Sequence, residues 1–170
     1  GVYYDIDTKF GDFGFKYIGS KTDEFTQDAS GEFAFLQSQK EAGLIPANIP
    51  LDGFGDLLGM DGNYDTKHTV KASWRLGDWG ATMSMLQKGE FYQNSLTLSD
   101  GTRYVIPEMT TIDATVSYSF RMNGNKARLR FAVKNLEDER APLADRYYGY
   151  YADAHQDYGR NYYLDLRVTF

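Results

Sequence analysis

Alternation of apolar and polar residues, repeated in segment after segment, is the feature that most narrows what this chain can fold into. In residues 161–170 the apolar set is Tyr162, Leu164, Leu166, Val168 and Phe170, with Tyr163, Asp165, Arg167 and Thr169 between them. In 127–136, Leu129, Phe131 and Val133 alternate with Arg128, Arg130, Ala132 and Lys134; in 111–120, Ile112, Ala114, Val116, Tyr118 and Phe120 alternate with Thr111, Asp113, Thr115, Ser117 and Ser119. The same division runs through Trp79, Ala81, Met83 and Met85, through Val70, Ala72, Trp74 and Leu76, through Phe13, Phe15 and Tyr17, and through Val2, Tyr4, Ile6 and Phe10. Successive side chains of a strand point to opposite faces, so each segment reads as a strand with one apolar and one polar side. Ile18 and Leu86 fall on the polar side, where a bulge or a packed residue accounts for them.

Seven strands of about ten residues have the length a tilted strand needs to cross a bilayer. The connections between them alternate in length. Short turns with glycine at the bend occur at Phe10-Gly11-Asp12, Leu76-Gly77-Asp78 and residues 121–126, and long connections span 28–63, 92–108 and 137–160. The middle long connection reads as a hairpin bending at Ser99-Asp100-Gly101-Thr102, and the first holds a short helix near residues 33–42, with Pro46 and Pro50 beyond it. Turns on one rim and loops on the other are the habit of outer-membrane barrels. Phe10, Phe13, Trp74, Trp79, Phe120 and Phe170 lie near the short turns or the terminus, as an interfacial aromatic girdle would.

The expected fold class is therefore all-β, an antiparallel transmembrane β-barrel of a bacterial outer membrane, with residues 1–170 as its C-terminal portion. Bacterial barrels have an even number of strands and this chain supplies an odd number, so strands from further polypeptide are expected to close the sheet. On the same pattern an arginine should be costly at Val116 and mild at Ser117. A soluble barrel or sandwich with an apolar core shows the same alternation, but it would not gather aromatics at strand ends.

Composition removes other classes. With no cysteine, disulfides, thiolate zinc sites and cysteine nucleophiles are excluded. A net charge of −6 with scattered acids disfavours nucleic acid as a partner. No apolar run approaches a spanning helix, so any crossing must be made by strands. His68 and His155 are the two histidines and have no ligand spacing, and no nucleophile motif is present, so neither a metal site, a cofactor nor an enzyme is expected. Asp145, Asp153 and Asp157 could bind calcium, but such loop acids are usually only solvated.

The segment Val133-Lys134-Asn135-Leu136-Glu137-Asp138, followed by Gly159-Arg160-Asn161-Tyr162 and a strand ending in Phe170, resembles the end of TonB-dependent outer-membrane receptors. The resemblance implies a roughly 22-stranded barrel with an N-terminal plug. It further implies energy-coupled import of a scarce nutrient, such as a siderophore, vitamin, metal or oligosaccharide. The implied partners are the plug and the rest of the barrel, outer-membrane lipid, the TonB complex acting through a missing N-terminal region, the barrel-assembly machinery and a small-molecule ligand. Tyr162, Leu164, Leu166, Val168 and Phe170 look like the signal that the assembly machinery reads. A passive porin or small structural barrel is the alternative, and a soluble lipid-carrying barrel a third.

Within that frame, Tyr147, Tyr148, Tyr150 and Tyr151, with Arg146 and Arg160, are candidate ligand contacts of the last loop, since ring faces and hydroxyls suit sugars or aromatic chelates. Lys71, Arg75, Arg128, Arg130, Lys134 and Arg167 are expected to face the lumen or the plug. Phe33, Phe35, Leu36, Leu44, Ile45, Phe54, Leu57 and Leu58 are apolar loop residues that need cover.

Overall fold

The computed structural model describes every residue except Ala47, Asn48, Pro50, Asp52 and Phe170. The expectations on Pro50 and Phe170 therefore lie outside the described residues. The elements in chain order are β1 (Val2–Thr8), β2 (Gly11–Lys21), β3 (Thr26–Gln27), α1 (Glu32–Glu41), β4 (Gly55–Asp56), β5 (Thr66–Leu76), β6 (Trp79–Lys88), β7 (Phe91–Thr97), β8 (Arg103–Ile106), β9 (Met109–Met122), β10 (Asn125–Lys134) and β11 (Asn161–Thr169). Seven of the strands form one antiparallel sheet in the order β1-β2-β5-β6-β9-β10-β11, and β3–β4 and β7–β8 form two small accessory pairs.

The large sheet is a meander in which every strand pairs with its neighbours in the chain order of the sheet. Its hairpins β1–β2, β5–β6 and β9–β10 turn on one rim, and the long connections leave from the other. The β9–β10 turn shows why such turns are short: Asn123 and Gly124 both have positive φ, at 52° and 83°. That is the backbone of an Asn-Gly hairpin turn, whose twist matches that of the strands it joins.

Register is what turns separate alternating segments into a surface. Phe131 lies opposite Leu164 on one side and Val116 on the other; Val116 lies opposite Ala81, Ala81 opposite Trp74, and Trp74 opposite Phe13. Leu129, Val133, Tyr118, Ala114, Met83, Ala72, Phe15 and Tyr4 follow the same correspondence. All seven apolar rows thus share one face. Ile18 and Leu86 lie opposite Thr69 from either side with no register shift, so they are residues placed on the polar face rather than products of a bulge.

Among the described residues, no second layer covers that apolar face. Leu164 is 73% exposed and Trp79 is 50% exposed, and Tyr4, Met83, Val116, Phe131 and Leu166 are exposed as well. Trp79, Tyr118 and Phe120 pack ring to ring near the short-turn rim, and the Trp74 indole N–H donates to the Phe10 carbonyl at 2.8 Å. Ala127 and Val133 are buried within the sheet, but the one cluster of buried hydrophobics among the described residues lies in the long connections, where Phe91, Ile106, Tyr151 and Ala154 pack together.

The seven-stranded sheet is open, with β1 and β11 as its edges, and does not close within these residues; what stands of the fold class is a mostly antiparallel all-β sheet. Two expectations change. Ser117 is not a permissive position, since it is 6% exposed, accepts a hydrogen bond from Arg128 at 2.9 Å and lies against Gly80. The β3–β4 pair, two residues on each side, joins Thr26–Gln27, just before the first long connection, to Gly55–Asp56 within it, where no strand was expected.

The helix of that connection forms over Glu32–Glu41 as expected, and the β7–β8 hairpin bends at Ser99-Asp100-Gly101-Thr102, where Asp100 accepts from the Thr102 N–H and hydroxyl. Phe33 meets Phe54, but Phe33, Phe35 and Leu44 stay exposed. Among the described residues, no helix is long and apolar enough to cross a membrane.

Candidate functional site

The long connections do not wander separately; they assemble into a cap at the end of the sheet opposite the short turns. Phe91 at the start of β7 meets the Tyr151 ring edge-on at 5.0 Å and stacks on His155 at 5.7 Å. Ile106 and Ala154 complete the cluster, with Tyr64, Tyr104 and Ala144 packed around it. Buried polar groups tie the pieces together. The Gln93 amide donates to the Asp145 carbonyl and accepts from the Asp145 N–H, both at 3.0 Å. The Asp61 carboxylate accepts the Tyr151 hydroxyl at 2.5 Å and the Asn94 N–H at 3.1 Å, and Arg146 stands 3.7 Å from it.

The tyrosines named from sequence divide. Tyr147 is 95% exposed and packs edge-on against Tyr148 at 4.9 Å, and Tyr148 meets Tyr150 at 6.3 Å. Tyr147 and Tyr148 form an outward aromatic ridge with the half-buried Tyr150 beside it, suited to stacking on a flat or ring-shaped ligand. Tyr151 is only 4% exposed and belongs to the cap interior, with the Arg146 guanidinium over its ring at 4.5 Å. Arg160 sits at the start of β11, where its proximity to Tyr162 raises its pKa.

Two cap groups carry opposite pH sensitivities. Burial, followed by the charge of Lys88, pushes His155 below the ordinary histidine range. Burial, followed by its hydrogen bond to Asp61, pushes Tyr151 up to about 12. An unfolded cap would take a proton at His155 near pH 6.5 and lose one from Tyr151 near pH 10. Cap stability is therefore expected to fall as pH drops below about 6.5, and again as pH rises from about 10 towards 12. Amide exchange of residues 143–155 measured across pH reads both limbs; a flat profile would show that neither group is linked to cap folding.

The six cations assigned to the polar side do share one face. Arg128 lies opposite Arg167 and Ser119, Arg130 opposite Asp165 and Ser117, Arg75 opposite Gly80 and Asp12, and Lys71 opposite Ser84 and Lys16. Lys134 pairs with Asp113 at 2.7 Å. Arg75 and Arg128 border an open cavity of about 340 Å³ whose other wall carries Asp5, Asp7 and Asp12. Towards the short turns, Arg128 and Arg167 join Arg121 and Lys126 around a second cavity of about 650 Å³. Arg121 and Lys126 were passed over as turn residues, although their parity with Ser119 and Arg128 places them on the same face.

The residues behind the family resemblance meet at the exit of β10. Asn135, at φ 53°, donates from its side chain to the Glu139 carbonyl at 2.7 Å and accepts the Glu139 N–H at 2.9 Å. Asp138 accepts the Arg160 N–H at 2.7 Å, which fixes where β11 begins. Arg140 grips Asp157 through two bonds of 2.7 and 2.6 Å, and Asp157, which also accepts the Ala141 N–H, is held down to about 2. Asp157 is thus committed to this clamp, and among the described residues no acidic or histidine cluster could hold a metal.

Gly159 is part of the same clamp. Its φ is +65°, and an added Cβ would lie 2.9 Å from the Asp138 carboxylate. Gly149 has φ +77° but open space around it. Gly149→Ala is expected to cost about 1–2 kcal/mol from backbone strain alone. Gly159→Ala should cost about 1 kcal/mol more, because it also displaces the Asp138–Arg160 bond. Urea midpoints of the two refolded variants compare them directly, and equal midpoints would remove the clamp as a contributor.

No family model matches the chain, no curated protein matches it, and no solved structure matches its fold.

Proposed function

We propose that this chain forms part of the wall of an outer-membrane β-barrel that imports a scarce small molecule, of the TonB-dependent kind. The observation that carries the reading is the register-wide apolar face, continuous over seven strands and left uncovered by the protein. Soluble monomers rarely expose apolar patches beyond a few hundred Å², and lipid is the cover that suits a face of strand-crossing length. Along β9, Ile112 to Phe120 spans about 26 Å at about 3.3 Å per residue, or about 20 Å of height at a tilt of about 40°, which lies within the ~25 Å apolar band of barrels. His68 and Gln87 form a polar row above that band on the same face. The two open edges call for further strands, because unpaired backbone groups are untenable in hydrocarbon.

The polar face then lines an interior wide enough for a plug. The cap and its aromatic ridge lie at the outer mouth, where a siderophore, vitamin, metal complex or oligosaccharide would first be held. The Asn135–Asp138 and Gly159–Arg160 clamp supports the importer over a passive porin only through the family resemblance.

The test uses the full-length protein in its own cells. It should fractionate with outer membranes, and uptake of the cognate nutrient should require both this protein and the inner-membrane energising complex. Uptake that persists without the complex would point to a passive porin, and recovery of the protein in a soluble fraction would end the membrane reading altogether.

A further inference from the structure

Lys67 and Lys88 stand directly opposite each other across the β5–β6 ladder, on the polar face at its cap end. Like charges in that position repel. Among the described residues no carboxylate forms an ion pair with either ammonium. Lys88 gives one hydrogen bond to the Ala154 carbonyl and lies 5.8 Å from the centre of the Tyr64 ring, which leaves donor capacity unused. Close by, His155 is 1% exposed and neither of its ring nitrogens has a hydrogen-bond partner. Buried polar groups are almost always satisfied, so an orphan of this kind calls for a bound species.

Both side chains border a cavity of about 80 Å³ whose other walls are Leu86, Met109, Thr111 and Gln156. Leu86, Thr111 and Gln156 also line a wider, open cavity of about 620 Å³, with Lys67, Tyr158 and Tyr163 on its walls. The smaller space has room for a carboxylate and the carbon that bears it, and the wider one for a larger body. Water would satisfy the imidazole but leave the facing ammoniums uncompensated. An anion accepts the one N–H of the neutral imidazole and compensates the ammoniums as well, and the apolar floor of Leu86 and Met109 suits one with a carbon attached.

We propose that the Lys88–His155 niche binds the carboxylate of a small acidic ligand. The Lys88 ammonium and the His155 N–H donate to its oxygens, and Lys67 supplies the second positive charge. The body of the ligand extends past Leu86 into the wider cavity. The assignment of this ligand as the imported cargo rests on the importer reading above; the niche itself does not.

Acetate is the probe, titrated into the full-length protein in detergent micelles at constant pH and ionic strength, with the histidine ring resonances as the readout. These residues contribute two histidines, whose resonances His155→Gln and His68→Gln assign, and His68, hydrogen-bonded to Tyr17 on the apolar face, serves as the internal control. A saturable shift confined to His155 is expected. Lys88→Gln should raise the half-saturation concentration about tenfold or more, as expected for losing a charge-assisted hydrogen bond. Lys67→Gln, at an exposed position that leaves the fold alone, should raise it about two- to threefold. No saturable shift, an equal shift at His68, an equal response to chloride, or an undiminished response in both variants would each overturn the proposal. No transport step enters the titration. An acetate response in a protein that fails the uptake test leaves the niche standing, and an uptake-competent protein without the response removes the niche alone.

Discussion

Val116→Arg is expected to destabilise the lipid-refolded full-length protein by about 2–4 kcal/mol, whereas Ser84→Arg should change it little. Val116 sits in mid-strand on the apolar face, flanked across the ladder by Ala81 and Phe131. If that face meets hydrocarbon, a guanidinium there must either lose its hydration or distort the bilayer around it. Ser84 lies on the polar face between Asp113 and Lys71, beside the wider open cavity, where an arginine has both space and a carboxylate in reach. Ser117 would be a poor comparison because it is already enclosed and bonded to Arg128. Urea titrations in lipid vesicles measure both variants. Equal costs at Val116 and Ser84 would mean that the two faces do not meet different media.

Phe91→Ala is the second large effect, and it should be local. Phe91 joins the hairpin to both Tyr151 and His155 in the buried cluster of the cap, so its truncation leaves a cavity worth about 3–5 kcal/mol. The seven-stranded sheet does not depend on that cluster for its ladder bonds. Amide exchange should show residues 91–106 and 143–155 losing protection while β9 and β10 keep theirs, as expected for separately cooperative units. Loss of protection in both regions together would show that cap and sheet are one unit.

The sheet was legible in the sequence because a face that must stay apolar pins the register of every strand: a slip of one residue in β10 would exchange Phe131 for Arg130. The three short turns were legible for a related reason, since Asn123-Gly124 and Gly77 mark positions that few other residues can occupy. That these seven strands leave the sheet open followed from their odd number, but the curvature of the whole did not, because alternation is identical in a flat and a curved sheet.

The cap was read least well. Tyr147 and Tyr151 are the same residue type four positions apart, yet one points to solvent and the other into the interior, and nothing local separates them. What separates them is Asp61, ninety positions upstream, which reaches the Tyr151 hydroxyl. Lys88 and His155 were passed over for the same reason: a lysine at the end of one strand and a lone histidine in a loop become neighbours only once the connections have folded together.

The unequal rims have a consequence for how such a chain can diversify. Strand spacing is set at the margin of tight bends, so segments on the far margin can be exchanged or lengthened without disturbing the alignment of the staves. Doubling the length of a flexible segment costs only about 0.6 kcal/mol in closure entropy. New recognition surfaces can therefore be tried at that end while the scaffold beneath is inherited intact.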